Sequence, residues 1–170
     1  MATQSNLAKS GPAKSDPAKP AVARDAELAA RPSLTLKRRF AAAPEKVYAA
    51  WADPQRLVQW FGPGSVEEGS VKADIDLRVG GRYRISFRAN GNYNEVGGVY
   101  REVVPNERLV FSWAWHSTPE RESLVTISVK PEGSGTLLTF LHEQFADETA
   151  RDNHERGWNE LFAKLESYLA

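Results

Sequence analysis

The chain has 170 residues with 22 basic and 22 acidic side chains, three histidines and no cysteine, so its formal net charge is zero. A neutral chain lacks the basic excess of proteins that bind nucleic acid through its phosphates, and the absence of cysteine removes disulfides, thiol nucleophiles and thiolate metal sites. No apolar run approaches the roughly 20 residues needed to span a bilayer.

Residues 1–32 are rich in alanine and proline, with a small basic excess, and every aromatic residue of the chain lies at or beyond Phe40. A loose Pro-Ala-Lys pattern recurs at Pro12–Lys14 and Pro17–Lys19. A segment so poor in apolar bulk cannot offset its ordering entropy, which predicts a disordered tail over 1–32. Within it, Arg24–Ala30 can form a helix too short to hold alone. The tail has no apolar stretch of about 7–15 residues of the kind a secretory signal needs. Asp16, Asp25 and Glu27 count against an organellar transit peptide. The expectation is a cytoplasmic protein with one folded domain over 33–170.

The domain opens with a strand over Ser33–Phe40, where Leu34 and Leu36 alternate with Thr35 and Lys37. Pro44 suits a first helical position, and Val47, Tyr48 and Trp51 make one apolar face. Asp53-Pro54 ends this helix and caps a second, short one that runs to the breaker Gly62-Pro63-Gly64. From Val71 to Val79 the period becomes two, which predicts a half-buried strand turned at Gly80-Gly81. Tyr83, Ile85 and Phe87 then alternate with Arg82, Arg84, Ser86 and Arg88, giving one aromatic and one cationic face. Asn90-Gly91-Asn92 turns into Glu95–Val104, and Pro105-Asn106 into Arg108–His116, with Leu109, Phe111, Trp113 and Trp115 on one side. Ser123–Lys130 and Thr136–Gln144 complete an antiparallel meander. Asp147 caps a final amphipathic helix in which His154, Trp158, Leu161, Phe162, Leu165, Tyr168 and Leu169 recur at three- and four-residue spacing.

Three stretches of this chain carry a family resemblance: PEKVYAAWADPQRLVQWFGP over 44–63, GGRYRISF over 80–87 with GVYREVVPNERLVFSW over 98–113, and HERGWNELFAKLESYL over 154–169. They resemble START-like, helix-grip proteins, and more closely the C-terminal-domain family of the heat-shock-protein-90 ATPase activator homologues. The resemblance implies an α+β fold in which a curved antiparallel sheet wraps around a long C-terminal helix, with two short helices after strand one and a cavity between sheet and helix. On that geometry the strand parities turn Tyr83, Ile85, Phe87, Trp113, Trp115, Val125, Ile127, Val129, Leu138, Phe140 and His142 inward. Trp158 and Phe162 supply the helix wall, and Trp60 and Phe61 stand near the entrance. The candidate ligand-binding set is therefore Trp60, Phe61, Tyr83, Phe87, Trp113, Trp115, Phe140, His142, Trp158 and Phe162.

Each candidate also has a plain structural reading. His142 ends an apolar row, so it is either a ligand contact or general base, or a cavity-edge histidine satisfied by a backbone group. His154 on the inner helix stripe is a packing residue unless it meets His142. His116 has the opposite parity to Trp113 and Trp115 and belongs on the surface. Three dispersed histidines without close spacing give no metal site, and no Gly-x-Ser-x-Gly occurs, so no metal, cofactor or nucleophile is expected. Arg82, Arg84 and Arg88 either match Asp74 and Asp76 across neighbouring strands, the favoured reading, or present a basic strip to an acidic partner.

The leading expectation is a binding domain that holds a small hydrophobic molecule between sheet and helix. A cyclase- or hydratase-type enzyme in the same cavity is the alternative, limited by how few polar groups face inward. A chaperone-cofactor or stress-response role follows only from the family resemblance, and residues 1–32 are too short and polar to replace the N-terminal domain of the eukaryotic activators.

Overall fold

The computed structural model describes residues 20–170. The tail reading for residues 1–19 lies outside the described residues. Residues Ala21–Ala29 form α1, in which no residue is buried. The helix expected over Arg24–Ala30 therefore begins earlier, after Pro20, whose fixed φ suits entry into a helix.

The remaining elements are β1 (Leu34–Phe40), α2 (Pro44–Ala52), α3 (Pro54–Leu57), β2 (Lys72–Ile75), β3 (Arg82–Ala89), β4 (Asn92–Val104), β5 (Arg108–Trp115), β6 (Ser123–Glu132), β7 (Gly135–Glu143) and α4 (Glu148–Leu169). All seven strands form one antiparallel sheet in the order β1-β7-β6-β5-β4-β3-β2. Strands β2 to β7 form the expected meander, and β1 adds beside β7 with Leu34 opposite His142. Among the described residues no helix is long and apolar enough to cross a membrane.

Local chemistry places the turns and caps. Asp53 ends α2 and accepts a hydrogen bond from the Gln55 N–H at 2.9 Å, so one residue closes one helix and opens the next. Asn90 and Gly91 both have positive φ, which matches the right-handed twist of the β3–β4 hairpin. Asp147 accepts from the Ala150 N–H at the start of α4. A register shift between Tyr100 and Glu102 bulges β4, the kind of irregularity that bends a sheet.

One strand ends sooner than its alternation suggests. The pattern from Val71 continues to Val79, yet β2 stops at Ile75, and Leu77 and Val79 are exposed. Arg78 turns back on Asp76, and the Gly81 N–H reaches the Arg78 carbonyl at 2.8 Å, so the chain reverses there. Apolar alternation can thus run past the last ladder bond. The cross-strand charge match holds for Arg84 and Asp74, which face each other in register at 3.1 Å. Asp76 pairs instead with Arg78, and Arg88 with Glu67.

The core lies between the concave sheet face and the helices α2 and α4. Inward residues of β3, β6 and β7 alternate with outward ones as strand parity requires, whereas β5 is buried on both faces from Leu109 to Trp113. Trp51 on α2 is the aromatic hub, with ring centroids 4.7 Å from Trp60, 6.0 Å from Trp158 and 5.9 Å from Phe162. Arg38 docks α4 onto β1: it lies over the Phe162 ring at 5.6 Å, donates to Asn159 and pairs with Glu166.

Candidate functional site

Between α4 and the far end of the sheet lies a cavity of about 270 Å³. Phe87 of β3 with Trp113 and Trp115 of β5 forms one wall, and the loop Phe61-Gly62-Pro63 forms a second. The third is the face of α4 made by Asn153, His154, Gly157, Trp158 and Leu161. The aromatic rings interlock edge to face, with Trp113 and Trp115 at 88° and Phe87 and Trp115 at 75°. Among the described residues no lysine, arginine, aspartate or glutamate lines this space.

The structure divides the ten candidate residues. Phe61, Phe87, Trp113, Trp115 and Trp158 border the cavity. Trp60, Tyr83, Phe140, His142 and Phe162 do not; they pack in the core. Trp60 is turned away from the entrance because its indole N–H donates to the Ala50 carbonyl at 3.0 Å. Tyr83 is anchored by its hydroxyl to the Ser112 carbonyl at 2.6 Å, and burial pushes its pKa up. Phe140 and Phe162 are sealed beneath Trp158 and Trp51. His116 is exposed.

His142 is fully buried, with a partner on each ring nitrogen. The Trp158 indole N–H donates to Nδ1 at 3.0 Å, and Nε2 lies 2.7 Å from the Ser123 hydroxyl. Nδ1 accepts, so the neutral ring carries its proton on Nε2 and donates it to Ser123, which donates onward to the Trp113 carbonyl. The histidine is satisfied by side chains rather than by the backbone group the sequence suggests. His154 repeats the arrangement in mirror tautomer. The Trp115 indole N–H donates to its Nε2 at 3.0 Å, and its Nδ1–H donates to the Ala150 carbonyl one turn back at 2.7 Å.

The two histidines do meet, with ring centroids 5.3 Å apart and Phe145 packed 4.1 Å from His142. Burial, and then the neighbouring His154, pushes the His142 pKa well below its ordinary value of 6.5. Burial also lowers that of His154, opposed by its bond to Ala150. Both rings are therefore neutral hydrogen-bond relays between tryptophans and backbone, and neither holds a free basic nitrogen. The Trp113 indole N–H, by contrast, is buried without an acceptor among the described residues.

Sequence reasoning missed the loop fastening and the helix gap. Lys164 Nζ donates to the Gly62 carbonyl at 2.8 Å, and the Gly64 N–H reaches Glu160 at 3.3 Å. One turn of α4 thereby holds both sides of Pro63. Gly62 has φ +110°, and a Cβ there would meet the Val66 side chain at 2.9 Å, so the loop conformation requires glycine. The opposite charges four residues apart on α4 were a visible signal, although nothing in the sequence told which loop they reach. Gly157 is different: a Cβ there meets nothing within 4 Å, yet glycine inside a helix is about 1 kcal/mol less favourable than alanine.

A curved sheet gripping a long C-terminal helix, with an aromatic cavity at their junction, defines the helix-grip class. The chain belongs to the family described as activator of Hsp90 ATPase homolog 1-like protein, which it matches over residues 41–170. Among solved structures it is similar to the AHSA1 protein of Silicibacter pomeroyi, at 30% identity and TM-score 0.68, over 81% of this chain and 97% of that one. A protein of Chromobacterium violaceum is 28% identical with TM-score 0.70, over 81% and 96% of the two chains. CalU16 of Micromonospora echinospora is 27% identical with TM-score 0.61, over 81% and 76%. No curated protein matches the sequence.

Proposed function

We propose that this protein binds a small hydrophobic molecule in the cavity between α4 and the β3–β5 end of the sheet. The observation that carries the reading is the aromatic lining of a space of about 270 Å³ with no charged side chain among the described residues of its wall. Such a space favours apolar surface, and the few polar groups at its rim can orient a ligand but not ionise one. The family fold supports ligand binding in general terms.

A cyclase or hydratase needs a general base within reach of the bound molecule. His142 lies behind the cavity with both nitrogens engaged, and His154 at its edge has both nitrogens engaged as well. Binding without turnover is therefore the reading the geometry favours, and a chaperone-partner role draws on the family description alone.

Titration of the purified protein with fatty acids, sterols and polycyclic aromatics, followed by tryptophan fluorescence, tests the proposal. Trp113, Trp115 and Trp158 line the cavity, so an occupant must change their emission. Saturable quenching by one class, matched by a one-to-one complex in native mass spectrometry, is the expected result. Failure of all three classes would refute it.

A further inference from the structure

Gly157 sits at the centre of the α4 face that borders the cavity. Asn153 and His154 lie one turn before it, Leu161 one turn after it and Trp158 beside it. Glycine is the least favourable helix-interior residue after proline, and it is usually kept where the backbone takes positive φ or where another chain segment comes too close for a Cβ. Neither holds here. Gly157 is helical, and a side chain would enter open space with no atom within 4 Å. Gly98 shows the contrast, since a Cβ there would lie 1.9 Å from the Ser112 carbonyl oxygen. What adjoins Gly157 is the cavity itself.

The lining also restricts the charge of whatever enters. Among its described residues the one titratable side chain is His154, held neutral with Nε2 accepting from Trp115 and Nδ1–H donated to Ala150. A carboxylate or ammonium group carried in would lose its hydration without a counter-charge, which burial penalises heavily. The rings of Phe61, Phe87, Trp113, Trp115 and Trp158 instead offer faces and edges to another aromatic system.

We propose that Gly157 is the specificity-determining residue of the cavity, its missing side chain making the room in which the ring of a neutral aromatic molecule lies against α4. This rests on the binding reading above. The test compares 2-naphthol with 2-naphthoate at pH 7.5, one ring system in neutral and anionic form. Binding is read by tryptophan quenching for the wild-type chain and for the Gly157→Ala and Gly157→Leu variants.

The wild-type protein should bind 2-naphthol at least tenfold more tightly than 2-naphthoate. Gly157→Ala should raise the unfolding temperature by about 2–4 °C, because only helix propensity changes. Gly157→Leu should fold and lose 2-naphthol affinity at least tenfold. If Gly157→Leu does not fold, Gly157→Met, unbranched and similar in reach, is judged by the same loss. Binding of 2-naphthol by the leucine or methionine variant within threefold of wild type overturns the role of Gly157 while leaving the binding reading intact. Equal affinity for the two wild-type probes overturns the neutral-ligand assignment. Wild-type binding of neither naphthalene overturns this inference, while lipid or sterol binding in the earlier titration would still uphold the broader reading.

Discussion

Trp158 on α4 donates its indole proton to Nδ1 of His142 on β7, tying the last helix to the sheet through a fully buried polar contact. Removing the ring leaves the Trp158 N–H without its acceptor, takes from the Ser123 hydroxyl the proton it accepts, and opens a void among Trp113, Phe140 and Phe145. His142→Ala should therefore lower unfolding free energy by about 3 kcal/mol in urea denaturation. A loss under about 1 kcal/mol would mean that the relay is dispensable.

The same relay makes stability depend on pH. In the unfolded chain His142 takes up a proton near its ordinary pKa of 6.5, whereas burial holds it neutral in the fold to a much lower pH. The unfolded state thus binds more protons as pH falls below 6.5. The contribution is present in full above about 6.5 and is lost progressively below it, by up to about 1.4 kcal/mol per pH unit for this one group. His154, shifted in the same direction, adds to the slope. Denaturation midpoints measured from pH 7.5 to 5 should fall for the wild type and fall less steeply for His142→Ala; parallel slopes would contradict the assignment.

At Gly98 the backbone of β5 lies too close to β4 to leave room for a side chain. The Val99 N–H uses the Ser112 hydroxyl at 2.8 Å, and a methyl group on Gly98 would overlap the Ser112 carbonyl. Gly98→Ala should cost roughly 3 kcal/mol or more, because the obstacle is backbone and not a movable side chain. Thermal unfolding of Gly98→Ala beside Gly157→Ala gives opposite signs if the local geometry is as described.

Lys164 is partly buried, and its pKa is lowered by burial and opposed by Glu160. Replacing it by methionine keeps the stem and removes the bond to the Gly62 carbonyl. Lys164→Met should leave global stability within about 0.5 kcal/mol, as expected for a half-exposed contact. Amide exchange over 62–66 should accelerate several-fold, read by hydrogen–deuterium exchange with mass spectrometry. Unchanged exchange would show that Pro63 and Gly62 hold the loop without help from α4.

The Tyr48 hydroxyl is buried without a partner among the described residues. Deleting it removes a desolvated polar group and leaves the ring packing in place. Tyr48→Phe should be neutral or more stable by up to about 1 kcal/mol in the same urea assay. A clear loss would reveal a hydrogen bond that the hydroxyl makes.

The sheet was legible because its inner face is buried and its outer face is not, so strand parity maps directly onto burial in β3, β6 and β7. That logic reached the cavity wall of Phe87, Trp113 and Trp115. It failed at Leu77 and Val79, where alternation continues after the ladder has ended. It could not foresee that Trp60 turns inward to Ala50, since the helix expected up to Gly62 ends at Leu57 and Trp60 lies in the turn after it. Nor could it pair Trp158 with His142 and Trp115 with His154, because those bonds depend on how α4 is rotated and advanced over the sheet. Gly157 went unread for the opposite reason: its significance lies in what is not beside it.

The pairing of β1 with β7 has a further meaning for how this chain comes into being. Leu34 is synthesised well before its strand neighbour His142, and α4 follows later still. Until then the aromatic inner face of β3 and β5 lacks the cover of α4. Non-local closure of this kind slows folding and prolongs the interval in which exposed apolar strands can associate with other chains. The final helix is thus what completes and shields the nascent domain, and a chain truncated before it would present its tryptophans to the cell.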